Sequence, residues 1–340
     1  MDIRFGYCVP IFAAPGGLGM RTPNYARLEV DATLDAARAA DALGFDSLWV
    51  ADHLMLGEDD AIMEAWTTVA ALAGATRQAR LGMIHCCNTM RHASMTAKMA
   101  ATIDQISGGR LIHFPHPNAR DTELSAYGLP LRPEPERVAQ MVEALEVILA
   151  LWTRDGPVDY DGSYYQLREA RCRPAPCQQP HPPIWLGMTD EAGFAACARY
   201  AQGWNAMPVP VETLRAQLDR LESACTAAGR AMSALELSYE TQIMIASDRD
   251  GLRRQLQNML AKGDQEADPA LRAFVAGDTD ELPSNVTRTF LVGTPDEVEM
   301  QIRQYLDLGF SHFLLWFMDA PEREGIEVFA EEVMTRFGGS

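Results

Sequence analysis

The clearest pattern along the chain is a repeat in which an amphipathic helix runs through a glycine into a short apolar strand. The repeat occurs at Ala36–Asp52, Ala196–Pro208 and Arg303–Asp319. The junction glycines Gly44, Gly203 and Gly309 are predicted to take the left-handed conformation that ends a helix. The strands that follow are unbroken apolar runs, which is typical of a parallel sheet covered on both faces.

The same alternation extends over the whole chain. Strands are predicted at Ile3–Val9, Phe45–Val50, Ala79–His85, Arg110–Phe114, Pro183–Gly187, Trp204–Met207, Leu235–Ala246 and His312–Phe317. Helices are predicted at Leu28–Leu43, Glu64–Thr76, Ser94–Ile106, Glu136–Trp152, Glu191–Tyr200, Val211–Ala228, Asp296–Leu308 and Ile326–Arg336. This alternation favours an α/β fold of the (β/α)8 TIM-barrel type over an open doubly wound sheet, with residues 1–340 as a single domain.

Two segments interrupt the alternation and are predicted to be insertion loops. Thr153–Pro182 follows the fourth helix, is rich in proline and aromatic residues, and is predicted to hold a small hairpin around Asp161-Gly162. Lys262–Ser284 follows the seventh strand and is acidic. Its place on the carboxyl side of that strand suits either a lid over a site or a variable surface loop.

Composition narrows the range of partners. A formal net charge of −18 disfavours nucleic acid and anionic membrane surfaces, because both are polyanions that bind through basic patches. The chain enters a strand pattern at once and has no long apolar run, which predicts a cytoplasmic protein. Its seven scattered cysteines predict free thiols, and the isolated pair Cys172 and Cys177 does not favour a zinc site.

The ends of the predicted strands carry several histidines, and in a barrel these ends converge on one mouth. The four candidates for acid/base catalysis are His53, His85, His113 and His116. Any one of them is equally well explained as a surface or core residue. A metal site formed by His113 and His116 with Asp52 or His53 is a further alternative, and it requires the chain to turn at Pro115.

The segment Gly187-Met188-Thr189 precedes a helix that starts near Asp190. The free N–H groups of such a helix end suit a phosphate. The alternative is that Asp190 simply caps the helix, in which case its charge opposes a phosphate.

With these motifs placed, the chain resembles the bacterial luciferase-like family of flavin- or deazaflavin-dependent oxidoreductases over nearly its whole length. The segments that carry the resemblance are GFDSLWVADH (44–53), ARLGM (79–83), AATIDQISGGR (100–110), ELSAYG (123–128), PAPCQQPHPPIWLG (174–187), YAQGWN (200–205) and LVGTPDEV (291–298).

The resemblance implies a barrel whose mouth holds FMN or the deazaflavin F420, with the ring against the third strand and the phosphate near the end of the fifth. It implies a cis peptide bond at Ile84-His85, a histidine at position 53 that assists the chemistry, and an arginine near the cofactor at Arg137. The implied ring contacts are Met83, Ile84 and His85, and the implied phosphate contacts are Gly187, Met188, Thr189 and Gly193.

Two stretches depart from the family pattern. Most relatives have a glycine-rich run after the fourth strand, where this chain has His113-Phe114-Pro115-His116-Pro117-Asn118. The usual second glycine after the fifth strand is Met188, and a serine-like position is Asp190. Stiffer and bulkier residues restrict how closely a cofactor can approach the backbone.

The resulting hypothesis is a monooxygenase that takes reduced FMN from a partner flavin reductase and uses dioxygen to oxidise a small organic substrate. Hydride transfer with F420, a barrel that only binds a flavin or other ligand, and a metal hydrolase are the alternatives. The resemblance also implies a homodimer formed through helices two and three.

Overall fold

The computed structural model describes residues 2–14, 27–262 and 268–338. Its strands are β1 Arg4–Cys8, β2 Ser47–Ala51, β3 Arg80–Ile84, β4 Cys86–Cys87, β5 Pro115–His116, β6 Val158–Asp161, β7 Gln166–Ala170, β8 Trp185–Leu186, β9 Gly203–Ala206, β10 Glu236–Ile245, β11 Leu291–Gly293 and β12 His312–Phe317. Seven of them form a curled parallel sheet in the order β3-β2-β1-β12-β10-β9-β8, and β11 pairs with β10. The α/β class and the parallel pairing predicted from the sequence are confirmed.

The predicted fourth strand connects the two edges of this sheet. Leu111 pairs in parallel with Leu81 of β3, and His113 pairs in parallel with Ile184, next to β8. These are single residue pairs rather than a continuous ladder. The chain then continues into the two-residue pair of β4 with β5.

Helices cover the outside of the sheet. They are α1 Val30–Ala42, α2 Ala65–Ala75, α3 Ala93–Ser107, α4 Asp121–Ala126, α5 Glu134–Thr153, α6 Glu191–Tyr200, α7 Val211–Ala227, α8 Arg249–Ala261, α9 Pro269–Ala276, α10 Ser284–Thr287, α11 Pro295–Leu306, α12 Glu324–Val328 and α13 Thr335–Phe337. A π-helical turn at Phe329–Met334 joins the last two. Among the described residues, none of the helices has both the length and the apolarity needed to cross a membrane.

Helix α8 was not predicted, because charged and amide side chains dominate its sequence. Its buried apolar side chains form only a narrow stripe of Leu252, Leu256 and Met259. These residues form a separate apolar cluster with α9 and α10, outside the main core. Part of the predicted second insertion is therefore helical, while residues 263–267 of it lie outside the described part of the chain.

The junction glycines play two different roles. Gly44 and Gly309 have φ values of 89° and 94°, as predicted for helix-ending residues. The prediction for Gly203 is wrong, because this residue is the first of β9 and has no positive φ. A Cβ there would lie 2.4 Å from Nε1 of Trp185, so glycine is needed at this position for close packing.

The first insertion contains the predicted hairpin, formed by antiparallel β6 and β7. All seven cysteines are free, and Cys177 alone is exposed. The prediction of free thiols is confirmed.

The interior of the sheet is filled by large rings and closed at the amino ends of its strands. Trp49 packs against Trp185 with ring centroids 5.2 Å apart, and Phe114 lies against both tryptophans. Below them Glu236 binds His312 at 2.8 Å and Arg80 at 3.0 Å. This polar cluster closes one end of the sheet, which leaves the carboxyl ends of the strands for a site.

Candidate active site

A cavity of about 490 Å³ opens at the carboxyl ends of the strands. Its lining residues come from loops and strands far apart in sequence: Phe12, Ala51, His53, Leu56, Ile84, His85, Arg120, Met207, Pro208, Glu240, Gln242, Thr289, Phe290 and Trp316. A groove of about 770 Å³ lies elsewhere, between α6 and α7 on the outside of the fold. The first cavity is the candidate site because it is the one that contains the ends of the strands.

His53 enters this cavity from the loop after β2, held by a buried carboxylate. Its Nδ1 lies 2.8 Å from Oε1 of Glu123 on α4, and Glu123 is only 1% exposed. The other carboxylate oxygen accepts the N–H of Leu54 at 3.0 Å. Because Nδ1–H donates to the carboxylate, the neutral ring presents Nε2 as its proton acceptor. The pair has the arrangement of a histidine base oriented by an acid.

His85 and His116 meet on the wall after β3. The peptide bond Ile84-His85 is cis, as the resemblance implied. The His85 ring packs edge-on against Phe114 at 4.5 Å and lies 5.0 Å from the ring of His116. Burial lowers the pKa of both histidines, so both are neutral at pH 7.

The predicted ring contacts fall on two faces of β3. Ile84 and His85 line the cavity. Met83 is fully buried and, as the neighbour of Ile84 on a strand, faces the opposite side of the sheet. Any contact of Met83 with a ligand in the cavity is therefore limited to its backbone.

Glu240 of β10 is a second acid in the cavity, and sequence reasoning missed it. It is 5% exposed. Its Oε1 accepts the indole N–H of Trp316 at 2.8 Å, and its Oε2 accepts the amide of Asn205 at 3.3 Å and lies 3.9 Å from Nε2 of His85. Burial raises the pKa of Glu240 to about 7, although these two donors counteract part of the effect. The available signal was the alternation of Ser238, Glu240 and Gln242 along one face of the strand.

The predicted phosphate contacts surround the start of α6. Asp190 caps this helix, and its Oδ1 accepts the N–H of Gly193 at 2.7 Å. Met188 is buried against Gly193, where a Cβ would lie 2.3 Å from the Cβ of Met188. Gly187 packs against Phe114, and Thr189 continues the loop into the cap. The Gly193 amide is thus already bound by the chain's own carboxylate.

Arg137 and His113 lie apart from the cavity lining. Arg137 of α5 donates to the carbonyl oxygens of Arg132 and Ala119 and pairs with Asp121, the first residue of α4. It therefore supports the helix that carries Glu123. His113 is fully buried against Trp152 with ring centroids 5.7 Å apart, and burial lowers its pKa to about 4.

The residues of the alternative metal site are not brought together. Asp52 is bound by Arg91 through two contacts of 2.7 and 2.9 Å, and His113 faces away from His116. Within residues 2–14, 27–262 and 268–338, no group of three metal-ligating side chains is placed to hold an ion.

Relatives with curated names include F420-dependent enzymes. The chain is 27% identical over 318 residues to an F420-dependent glucose-6-phosphate dehydrogenase of Nakamurella multipartita, covering 89% of this chain and 91% of that protein. It is 28% identical to a phthiodiolone/phenolphthiodiolone dimycocerosates ketoreductase of a Mycobacterium species, covering 77% and 81%.

The fold is shared with solved structures of an F420-dependent dehydrogenase and of a monooxygenase. An F420-dependent secondary alcohol dehydrogenase matches with a TM-score of 0.75 at 21% identity over 98% of this chain and 99% of that one. The long-chain alkane monooxygenase LadA matches with a TM-score of 0.79 at 15% identity over 99% and 91%. The model of the luciferase-like monooxygenase family matches residues 3–312, and this chain belongs to that family.

Proposed function

We propose that this protein is an F420-dependent oxidoreductase that interconverts a hydroxyl and a carbonyl group on a small molecule. The observation that carries the proposal is the pair of His53 and Glu123 on the cavity. Oxidising an alcohol by hydride transfer requires a base for the hydroxyl proton, and a histidine oriented by a buried carboxylate suits that task. The F420-dependent activity of several curated relatives supports the choice of cofactor.

The cavity residues fit the ring of such a cofactor better than they fit its phosphate. The volume of about 490 Å³ and the wall formed by Ile84 and His85 suit a flat ring system. The amide of Gly193 is bound by Asp190, so a phosphate at α6 has to rely on Gly187, Met188 and Thr189 and on the first amides of the helix. A deazaflavin, when bound, supplies the hydride acceptor or donor.

The protein's own part in the reaction is proton transfer and exclusion of water. His53 Nε2 accepts the proton of the substrate hydroxyl group, and the buried carboxylate of Glu123 stabilises the imidazolium that forms. The hydride on the carbon that bears this hydroxyl group would pass to the bound deazaflavin. The apolar walls at Phe12, Leu56 and Trp316 limit the access of water to the reacting carbon.

Barrel closure, domain number and oligomeric state are also proposed. We infer that the eight βα units close as a complete (β/α)8 barrel and that the chain is one domain. The single residue pairs at Leu111 and His113 support closure. The homodimer predicted through helices two and three remains a proposal, supported by Met95 and Ile106 of α3, which are both more than half exposed.

Binding and turnover with each cofactor test the function. Purified protein is titrated with F420 and with FMN in both redox states, and a panel of secondary alcohols is assayed for F420 reduction. We expect His53→Gln to lower kcat about 100-fold and Glu123→Gln about tenfold. His181→Gln, a histidine outside the cavity, is the matched control and leaves kcat unchanged.

Other outcomes favour the alternatives. Oxygen consumption only with reduced FMN and a flavin reductase would establish the monooxygenase predicted from the sequence. Tight binding of a flavin or deazaflavin without turnover would indicate a barrel that only binds it. Binding of neither cofactor in any redox state would refute the proposal.

A further inference from the structure

Among the described residues, no cation contacts the buried acid Glu240. Both oxygens accept hydrogen bonds, from Trp316 and Asn205, but both donors are neutral. The nearest imidazole, His85, is 3.9 Å away and is kept neutral because burial lowers its pKa. An acid buried in this way is stabilised either by a proton or by a positive charge that arrives from outside.

The rest of the described lining offers a single cation to an anionic group. Its one arginine or lysine is Arg120, whose Nε already lies 3.7 Å from the buried carboxylate of Glu123. Met207 and Pro208 occupy the part of the lining contributed by the loop after β9. A phosphate or carboxylate in this cavity would therefore meet the buried acid Glu240, and the one arginine of the described lining already lies beside Glu123.

Aromatic rings complete the surroundings of Glu240. Trp316, which donates to Glu240, also lines the cavity, and its ring lies 6.1 Å from that of Phe12 at an angle of 56°. The faces of aromatic rings attract cations, and a tryptophan does so most strongly. An acid beside two aromatic rings is the chemistry that recognises a protonated amine.

We propose that the substrate carries a protonated amine that binds Glu240 beside Phe12 and Trp316, and that the protein rejects phosphorylated substrates. This rests on the proposed function for the reacting group, which makes the substrate an amino alcohol or the matching amino ketone. Each carboxylate oxygen retains a lone pair for the ammonium group, because each accepts only one hydrogen bond from the protein side chains named above.

Binding of three matched probes tests the proposal without turnover. Cyclohexylammonium, cyclohexanol and cyclohexyl phosphate share one ring and differ in charge. Their dissociation constants are measured by calorimetry or NMR titration on the protein alone and with saturating F420. We expect cyclohexylammonium to bind at least about tenfold more tightly than cyclohexyl phosphate.

Two variants of Glu240 distinguish the contribution of its charge to binding from that of its shape. Glu240→Gln should weaken cyclohexylammonium about tenfold and leave cyclohexanol within about twofold, since the amide oxygen still accepts a hydrogen bond. Glu240→Asp retains the charge and should retain most of the ammonium binding, which also guards against a folding defect in the first variant. Glu134→Gln, a change of the same charge on α5 outside the cavity lining, is the control.

Two results would overturn the inference: phosphate binding as tight as ammonium binding in the wild type, or unchanged ammonium binding in Glu240→Gln. These results are independent of the proposed reaction. If the ammonium probe binds through Glu240 while no alcohol reduces F420, the proposed function fails and the inference on the substrate stands.

Discussion

Two glutamates on strand β10 lie four residues apart, on the same face of the strand, in opposite electrostatic surroundings. Glu236, at the closed end of the sheet, contacts Arg4 and Arg80 at 3.0 Å and His312 at 2.8 Å. Burial opposes its ionisation, but its partners, His312 first, hold the pKa of Glu236 well below the usual range. Glu240, at the open end, has only neutral donors within the described part of the chain, and burial raises its pKa to about 7.

The difference separates an acid that has charged partners in the fold from one that the proposal assigns to substrate binding. The chain supplies the cations for Glu236 itself, so that acid stabilises the fold. The described residues bring no cation to Glu240, which leaves a proton or a ligand to neutralise it. Perturbed acids without a structural partner tend to occur at functional sites.

The largest effect on stability should come from disrupting the Glu236 cluster at the closed end of the sheet. Glu236→Gln leaves Arg80, Arg4 and His312 without their shared carboxylate, and we expect the free energy of unfolding at pH 7 to fall by about 3 kcal/mol. Urea unfolding measures this loss. Because the folded pKa of Glu236 lies below the unfolded value, the contribution is present at pH 7 and is lost as the pH falls below about 4. Equal stability of variant and wild type at pH 7 would contradict the structural role.

At the open end, the corresponding substitution Glu240→Gln should raise the free energy of unfolding instead of lowering it. Glu240 binds its proton more tightly in the folded state, so its contribution to stability falls as the pH rises from about 4.3 to about 7 and is then constant. Glu240→Gln should therefore raise the free energy of unfolding at pH 8 by about 2 kcal/mol relative to pH 5, measured as the difference from wild type at each pH. A destabilisation that grows with pH would show that a cation compensates Glu240 after all.

A smaller effect should follow from removing one hydrogen-bond donor of Glu240, which changes the pKa of this acid. Trp316→Phe removes the N–H that donates to Oε1 and should raise the pKa of Glu240 by about one further unit. The carboxyl band in infrared difference spectra reports its protonation directly. Other titratable groups near Glu240 are His85 and Cys8, so His85→Gln is measured in parallel to assign the band. An unchanged pKa would mean that this hydrogen bond does not stabilise the charge.

The smallest effect concerns a third acid, Asp190, which is exposed and acts as a helix cap. Asp190→Ser keeps a capping oxygen for the Gly193 amide, so the free energy of unfolding should stay within about 0.5 kcal/mol. Removing its charge should strengthen the binding of a phosphate-bearing cofactor about fivefold, measured by fluorescence titration. Asp190→Asn serves as a second neutral cap, and weaker binding in both variants would argue against a phosphate at α6.

Local pattern predicted much of the framework. The strands, the long amphipathic helices and the hairpin of β6 and β7 follow from spacing that depends on residues close together in the chain. The position of the cis bond at Ile84-His85 came from the family resemblance and is confirmed. Helix α8 was missed because its apolar stripe is narrow, and Gly203 was misread because its role is to accommodate Trp185 from another strand.

The sequence by itself determined the order of βα units and placed His53, His85 and His116 at the strand ends. Only the tertiary structure decided their partners: His53 pairs with Glu123, which is 70 residues away, and His113 turns away from the cavity to Trp152. It also decided that Glu236 contacts two arginines, whereas no described residue brings a cation to Glu240. Secondary structure follows from the repeat of neighbouring side chains, whereas the charge state of a buried acid depends on desolvation and on groups that distant strands bring within a few ångströms.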